Sequence, residues 1–136
     1  MVRLIMGMKG SGKTKQLIEL INNAAKDEPG NVVCIEANRN MTYDIHYHIR
    51  LIDAEEYKLS NYDLMRGFVS GLYAGNYDIT NILVDATLKI GGHDKEELAA
   101  MIDRLAGLAQ EHKVELAFTV SCALEDLPET LKGYAI

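Results

Sequence analysis

Residues 7–14 read Gly7-Met8-Lys9-Gly10-Ser11-Gly12-Lys13-Thr14, which is G-x-x-x-x-G-K-[ST] without a mismatch. This segment constrains the fold more than any other. Glycines let the backbone curl until its N–H groups point at one centre, and such a concavity suits an anion. The physics works only if a strand delivers the loop and a helix leaves it, because the helix N-terminus adds the positive end of its dipole. The flanks agree. Val2-Arg3-Leu4-Ile5-Met6 is a short apolar run that reads as a buried strand. Beyond the loop, Leu17, Ile18, Ile21, Ala24 and Ala25 share one helical face, with Lys15, Gln16, Glu19 and Asn22 elsewhere. By chance the pattern arises in roughly one chain of this size in two hundred, and the strand and helix make chance a poorer explanation.

The loop assigns roles residue by residue. Gly7, Met8, Lys9, Gly10, Ser11, Gly12, Lys13, Thr14 and Lys15 are the candidates to surround the phosphates of a nucleoside triphosphate. Lys13 places its charge at the outer phosphates, where it also serves catalysis, and the Thr14 hydroxyl is a Mg²⁺ ligand.

The rest of the chain alternates strands and helices. The first helix is expected to end near Lys26, before the breaker cluster Asp27-Glu28-Pro29-Gly30-Asn31. Val32-Val33-Cys34-Ile35 reads as a second buried strand, and Tyr47–Ile52 as a third with one wetter face, near an edge. Ser60-x-x-Asp63 opens a helix with apolar residues Leu64, Met65, Phe68, Val69, Leu72 and Tyr73, stopped by Gly75-Asn76. Ile82-Leu83-Val84-Asp85 reads as a central strand. Asp94-x-x-Glu97 opens the clearest amphipathic helix, and Val114–Val120 is a last strand before a short helix near Pro128–Lys132. This order predicts a three-layer α/β/α domain with a mostly parallel sheet of about five strands, spanning residues 1–136 as one unit. In such sheets ligands bind at the carboxyl ends of the strands, where the glycine loop also lies.

Asp85 ends its strand there, as a carboxylate of a Mg²⁺ shell must, commonly through water. The next residue is Ala86, so a base for activating water has to come from elsewhere. Glu36 ends the strand after the first helix and is the favoured candidate; the segment Ile52-Asp53-Ala54-Glu55-Glu56, ending the next strand, offers Glu55 and Glu56, and solvated loop charge is the alternative for all three glutamates. Ser121 follows the last strand, close to Thr119, and a hydroxyl there can meet the terminal phosphate or cap the next turn. Tyr134 suits either stacking on a base or packing of the tail. His46 and His48 share a face of an extended segment but lack a third metal ligand.

Net charge is −6 and no Lys/Arg cluster is visible, so a general nucleic-acid binder is not expected. No apolar run approaches the ~20 residues needed to span a bilayer. Cys34 and Cys122 each sit in apolar runs without a C-x-x-C pair, and the first residues enter a strand with no signal peptide. A cytoplasmic protein is expected.

Taken together, these residues resemble the RecA-like branch of the P-loop NTPases. Asp85 in Ile82-Leu83-Val84-Asp85-Ala86-Thr87 is similar to the family's strand-ending aspartate, and Glu36 in Val33-Cys34-Ile35-Glu36 matches the placement of the catalytic glutamate of its recombinases. The likeness covers roughly residues 2–121. It implies Mg²⁺-dependent ATP binding, with hydrolysis the expected activity, and a strand inserted between the one ending at Met6 and the one ending at Asp85. The whole chain also looks like a group of small bacterial ATP-binding proteins loosely labelled twitching-motility PilT-like, through Arg50-Leu51-Ile52-Asp53, Gly67–Gly71 and Asn76-Tyr77-Asp78-Ile79. Motor activity is not carried over, since the acidic and histidine boxes are missing. The phosphate loop is similar to that of type II thymidine kinases as well, without their Asp-Glu pair, zinc cysteines or lasso.

The competing expectations are a nucleotide-dependent switch with negligible turnover and a small-molecule kinase. ATP is preferred because no Asn-Lys-x-Asp guanine motif is present. A protein partner or homo-oligomer fits so small a domain, and Arg39 or Arg50 of a neighbouring copy is a conceivable donor in trans.

Overall fold

A computed structural model describes residues 1–8, 10–27, 30–37 and 49–136. Five strands, β1 (Val2–Met6), β2 (Asn31–Glu36), β3 (Arg50–Asp53), β4 (Ile79–Val84) and β5 (Glu115–Val120), form one sheet in the order β1-β5-β4-β2-β3. Every pairing is parallel. The strands are nearly continuous runs of Val, Ile and Leu because both faces of the sheet are covered.

Helix α1 (Lys13–Asp27) covers one face, packing Leu17 and Ile21 against Ile5, Cys34, Leu83 and Ala117. The opposite face carries α2 (Tyr62–Gly75) and α4 (Lys95–His112), whose Met65, Val69, Leu98, Ile102 and Leu105 pack on Leu4, Ile35, Ile82, Val84 and Phe118. The result is an α/β fold with helices on both sides of the sheet, consistent with three layers. A five-residue helix, α3 (Thr87–Gly91), follows β4, and α5 (Glu129–Lys132) lies in the tail.

The helix starts follow capping chemistry. Asp94 accepts from the backbone N–H groups of Glu96 and Glu97, as its Asp-x-x-Glu pattern predicts. For α2 the cap is Asn61, whose side chain takes the Leu64 N–H; Ser60, the expected first residue, lies one position outside. Of the expected third strand, residues 50–52 are in the sheet as part of β3, which runs one residue further to Asp53 and stands at the edge among the described residues, whereas Tyr47 and His48 lie outside them.

Register decides what meets at the carboxyl ends. Met6 is opposite Val120, Val84 opposite Phe118, and Ile35 opposite Val84. Gly7 and Ser121, the residues that leave β1 and β5, therefore emerge side by side, while Asp85 stands level with Thr119 on one side and with Glu36, the end of β2, on the other. At the outer edge of β1 the C-terminal tail runs alongside. Leu4 donates its N–H to the Tyr134 carbonyl at 2.8 Å, and Ile136 donates to the Leu4 carbonyl at 2.9 Å.

Candidate functional site

The glycine loop leaves β1 through backbone angles that side chains resist. Gly7, Gly10 and Gly12 have φ of 146°, 86° and 90°. At Gly7 the restriction is double, because a Cβ there would also collide with the Ser11 hydroxyl. The turn is closed by the Met8 carbonyl, which accepts from the Ser11 N–H at 3.1 Å and from the Lys13 ammonium at 2.9 Å. Lys13 is only 7% exposed. Among the described residues no carboxylate pairs with it; its charge is held by a neutral carbonyl. A buried ammonium compensated so thinly is a natural anion receptor.

Across the cleft, Asp85 is held by its neighbours on both sides. Its N–H donates to the Ile35 carbonyl at 2.9 Å. The Thr119 hydroxyl donates to Asp85 Oδ1 at 2.6 Å and accepts from the Ala86 N–H at 2.7 Å. Ala86 sits in the left-handed region with φ 56° and ψ 51°. That conformation costs an L-residue about 1–2 kcal/mol, and such strain gathers at sites where the backbone must turn sharply. Here it swings α3 over the end of β4. The Thr14 hydroxyl faces Asp85 at 3.4 Å from each carboxylate oxygen, so two hard oxygen donors oppose each other across a short gap.

These groups line one cleft of about 730 Å³: Gly10, Gly12, Lys13, Thr14 and Lys15 from the loop and α1, Glu36 from β2, Asp85 from β4, and Thr119 and Ser121 from β5. Glu36 is 3% exposed, at the floor. Glu55 and Glu56 are exposed and do not line the cleft; the Asp53 carboxylate instead accepts the Glu55 N–H at 3.0 Å, closing a local turn. Gly7 and Met8 shape the loop without forming the cleft wall, and Ser11 is exposed beside it. Tyr134 packs at the opposite end of the sheet, near Met1, Val2 and Arg3, so it does not stack on anything in this cleft. Lys9, Arg39, His46 and His48 lie outside the described residues.

Three wall residues carry no signal in the sequence. Leu88, Lys89 and His93 belong to α3 and the loop after it, and they reach the cleft only through the turn at Ala86. Thr119 reads as an ordinary β-branched strand residue, yet its hydroxyl fixes Asp85.

Burial pushes the Cys34 thiol up, with the nearby Asp85 and Glu36 charges adding to the effect, so the buried cysteine stays protonated below the carboxylates. Burial likewise raises the Tyr62 hydroxyl, reinforced by Glu97 and Asp94.

Among the described residues no group of three or more His, Cys, Asp or Glu is placed to hold a metal ion by protein ligands alone. The Thr14–Asp85 pair suits Mg²⁺ differently, because that ion keeps several waters and takes one or two protein oxygens together with substrate phosphates. Among the described residues no helix is long and apolar enough to cross a membrane. No protein-family profile matches the chain, and no curated protein matches it in sequence.

Proposed function

We propose that the chain is a P-loop nucleotide-binding domain of the RecA-like type that takes ATP with Mg²⁺ and hydrolyses it. One observation carries the proposal: the buried Lys13 ammonium, without a carboxylate partner among the described residues, at the mouth of a glycine turn and facing a cleft that also holds Thr14, Asp85 and Glu36. The strand order supports the subtype, since β5 lies between β1 and β4.

In this reading the loop N–H groups and Lys13 hold the phosphates, and Thr14 and Asp85 hold Mg²⁺, which when bound neutralises charge on the phosphate oxygens. Thr119 keeps the Asp85 carboxylate oriented. Ser121, which lines the same cleft, would meet the terminal phosphate. Glu36 orients a water whose oxygen bonds to the terminal phosphorus as the bridging P–O bond breaks. It accepts the water's proton, and ADP leaves with the bridging oxygen. The residues' work is positioning and charge stabilisation.

Multiple-turnover phosphate release tests this, comparing the wild type with Glu36→Gln and Lys13→Ala. The expected result is Mg²⁺-dependent release that falls at least tenfold in Glu36→Gln while nucleotide binding persists. Wild-type release no faster than that of Lys13→Ala rejects hydrolysis and leaves a nucleotide-dependent switch.

A further inference from the structure

The segment from Ala86 to His93 supplies Ala86, Leu88, Lys89 and His93 to the wall of the cleft, and it is fastened near both ends. At its start the Ala86 N–H is held by the Thr119 hydroxyl at 2.7 Å. At its end Tyr62, from the first turn of α2, donates its hydroxyl to the Gly92 carbonyl at 2.7 Å. The ring lies so close to Gly91 that a Cβ there would strike it. Tyr62 is 3% exposed, and Gly92 has a φ of 107°, so the turn after α3 is held in one shape by a buried clamp. Lys89 lies between the two fastenings and His93 immediately after the second; both are exposed to solvent yet line the same cleft as Lys13, Asp85 and Glu36. Neither has a carboxylate partner among the described residues. Both are therefore available to an anion. A rigid wall that presents two nitrogen donors beside the Mg²⁺ aspartate differs from a solvated surface loop, whose charged side chains have no fixed target.

We propose that Lys89 and His93 are this chain's own donors to the terminal phosphate, and that Tyr62 is the positioning residue that holds them there. The proposal rests on the nucleotide reading above and adds the source of nitrogen donors at the outermost phosphate. It predicts discrimination: the two residues act on the triphosphate and not on the diphosphate, whose phosphates stay with the glycine loop and Lys13.

The test is calorimetric titration of the full chain with Mg²⁺–ATP and, separately, with Mg²⁺–ADP, for the wild type, Lys89→Ala, His93→Ala and Tyr62→Phe. Lys89 and His93 are exposed, so their variants fold, and Tyr62→Phe keeps the ring while removing the hydroxyl. Each of the two alanine variants is expected to weaken ATP binding by roughly five- to tenfold, the effect of losing a partly solvated charge-assisted bond, with ADP affinity held within about twofold. Tyr62→Phe is expected to reduce the same ATP-over-ADP preference. Equal losses for ATP and ADP, or no loss for either, overturn the proposal while the nucleotide reading stands. A wild type that binds neither nucleotide overturns both.

Discussion

Thr119→Val is the substitution whose cost is best defined by the geometry. Valine nearly matches threonine in volume, so the buried position, 1% exposed, keeps its packing and no cavity forms. Two bonds are lost, the 2.6 Å bond to Asp85 Oδ1 and the 2.7 Å bond from the Ala86 N–H. Asp85 is partly exposed, so water replaces much of the first. The Ala86 N–H is worse placed, because it stays donor-only at a strained backbone turn against a new methyl group. An unsatisfied buried donor costs about 1–3 kcal/mol and a hydrogen bond to a charged group about 1.5–3 kcal/mol before solvent compensation. Allowing for that compensation, a net loss of about 2–3 kcal/mol is expected, and for a chain of this length each kcal/mol lowers Tm by about 3–4 °C. Thermal unfolding followed by circular dichroism should therefore show a Tm about 6–12 °C below the wild type. Thr119→Ser, which keeps the hydroxyl, should recover most of it. Mg²⁺-dependent nucleotide affinity should fall in the valine variant and return with serine. A valine variant as stable as the wild type, or a serine variant as unstable as the valine one, would refute the role given to this hydroxyl.

Gly7→Ala combines a φ of 146° with a collision on the Ser11 side chain, so it should cost at least about 2 kcal/mol and abolish nucleotide binding, both readable by denaturant unfolding and titration. Ala86→Gly relieves the left-handed strain but adds unfolded-state entropy, leaving a net gain of about 0.5 kcal/mol, visible as a small rise in urea midpoint. Cys34 should resist iodoacetamide at neutral pH in the native state and react on unfolding, since burial raises its thiol above the ordinary value of 9.0. The sign follows for stability: an acid raised in the folded state favours unfolding once the unfolded thiol ionises. Cys34→Ser should therefore flatten the loss of stability that the wild type shows as pH climbs through and beyond about 9.

How far the amino-acid sequence foretold these features varies with the range of the interaction. The α1 stripe was readable because Leu17, Ile18, Ile21, Ala24 and Ala25 recur at helical spacing, and Leu17 and Ile21 are fully buried. The Asp94 cap was readable because its chemistry is local. At the start of α2 the same local rule pointed to Ser60, whereas the next residue, Asn61, makes the cap by accepting from the Leu64 N–H. Helix α3 escapes any periodicity argument, being five residues long and bounded by Gly91-Gly92. At the candidate site, the glycine loop and the strand-ending Asp85 announce themselves in one dimension. The remainder of the wall depends on long-range neighbours. Thr119 meets Asp85 across 34 residues of chain, and His93 is placed by a tyrosine from another helix. Tyr134 goes to the far end of the sheet because the tail hydrogen-bonds along β1, a pairing that nothing near Tyr134 announces.

The most direct test of the central claim is titration of Mg²⁺–ATP into the wild type and Lys13→Ala, with and without EDTA. Lys13 is buried against a neutral carbonyl, so removing its charge spares every ion pair among the described residues and takes the buried ammonium out of the cleft. The expected outcome is saturable one-to-one binding by the wild type, lost with EDTA and weakened at least tenfold by the substitution. Binding that ignores both Mg²⁺ and Lys13, or no binding by the folded wild type, would contradict the account.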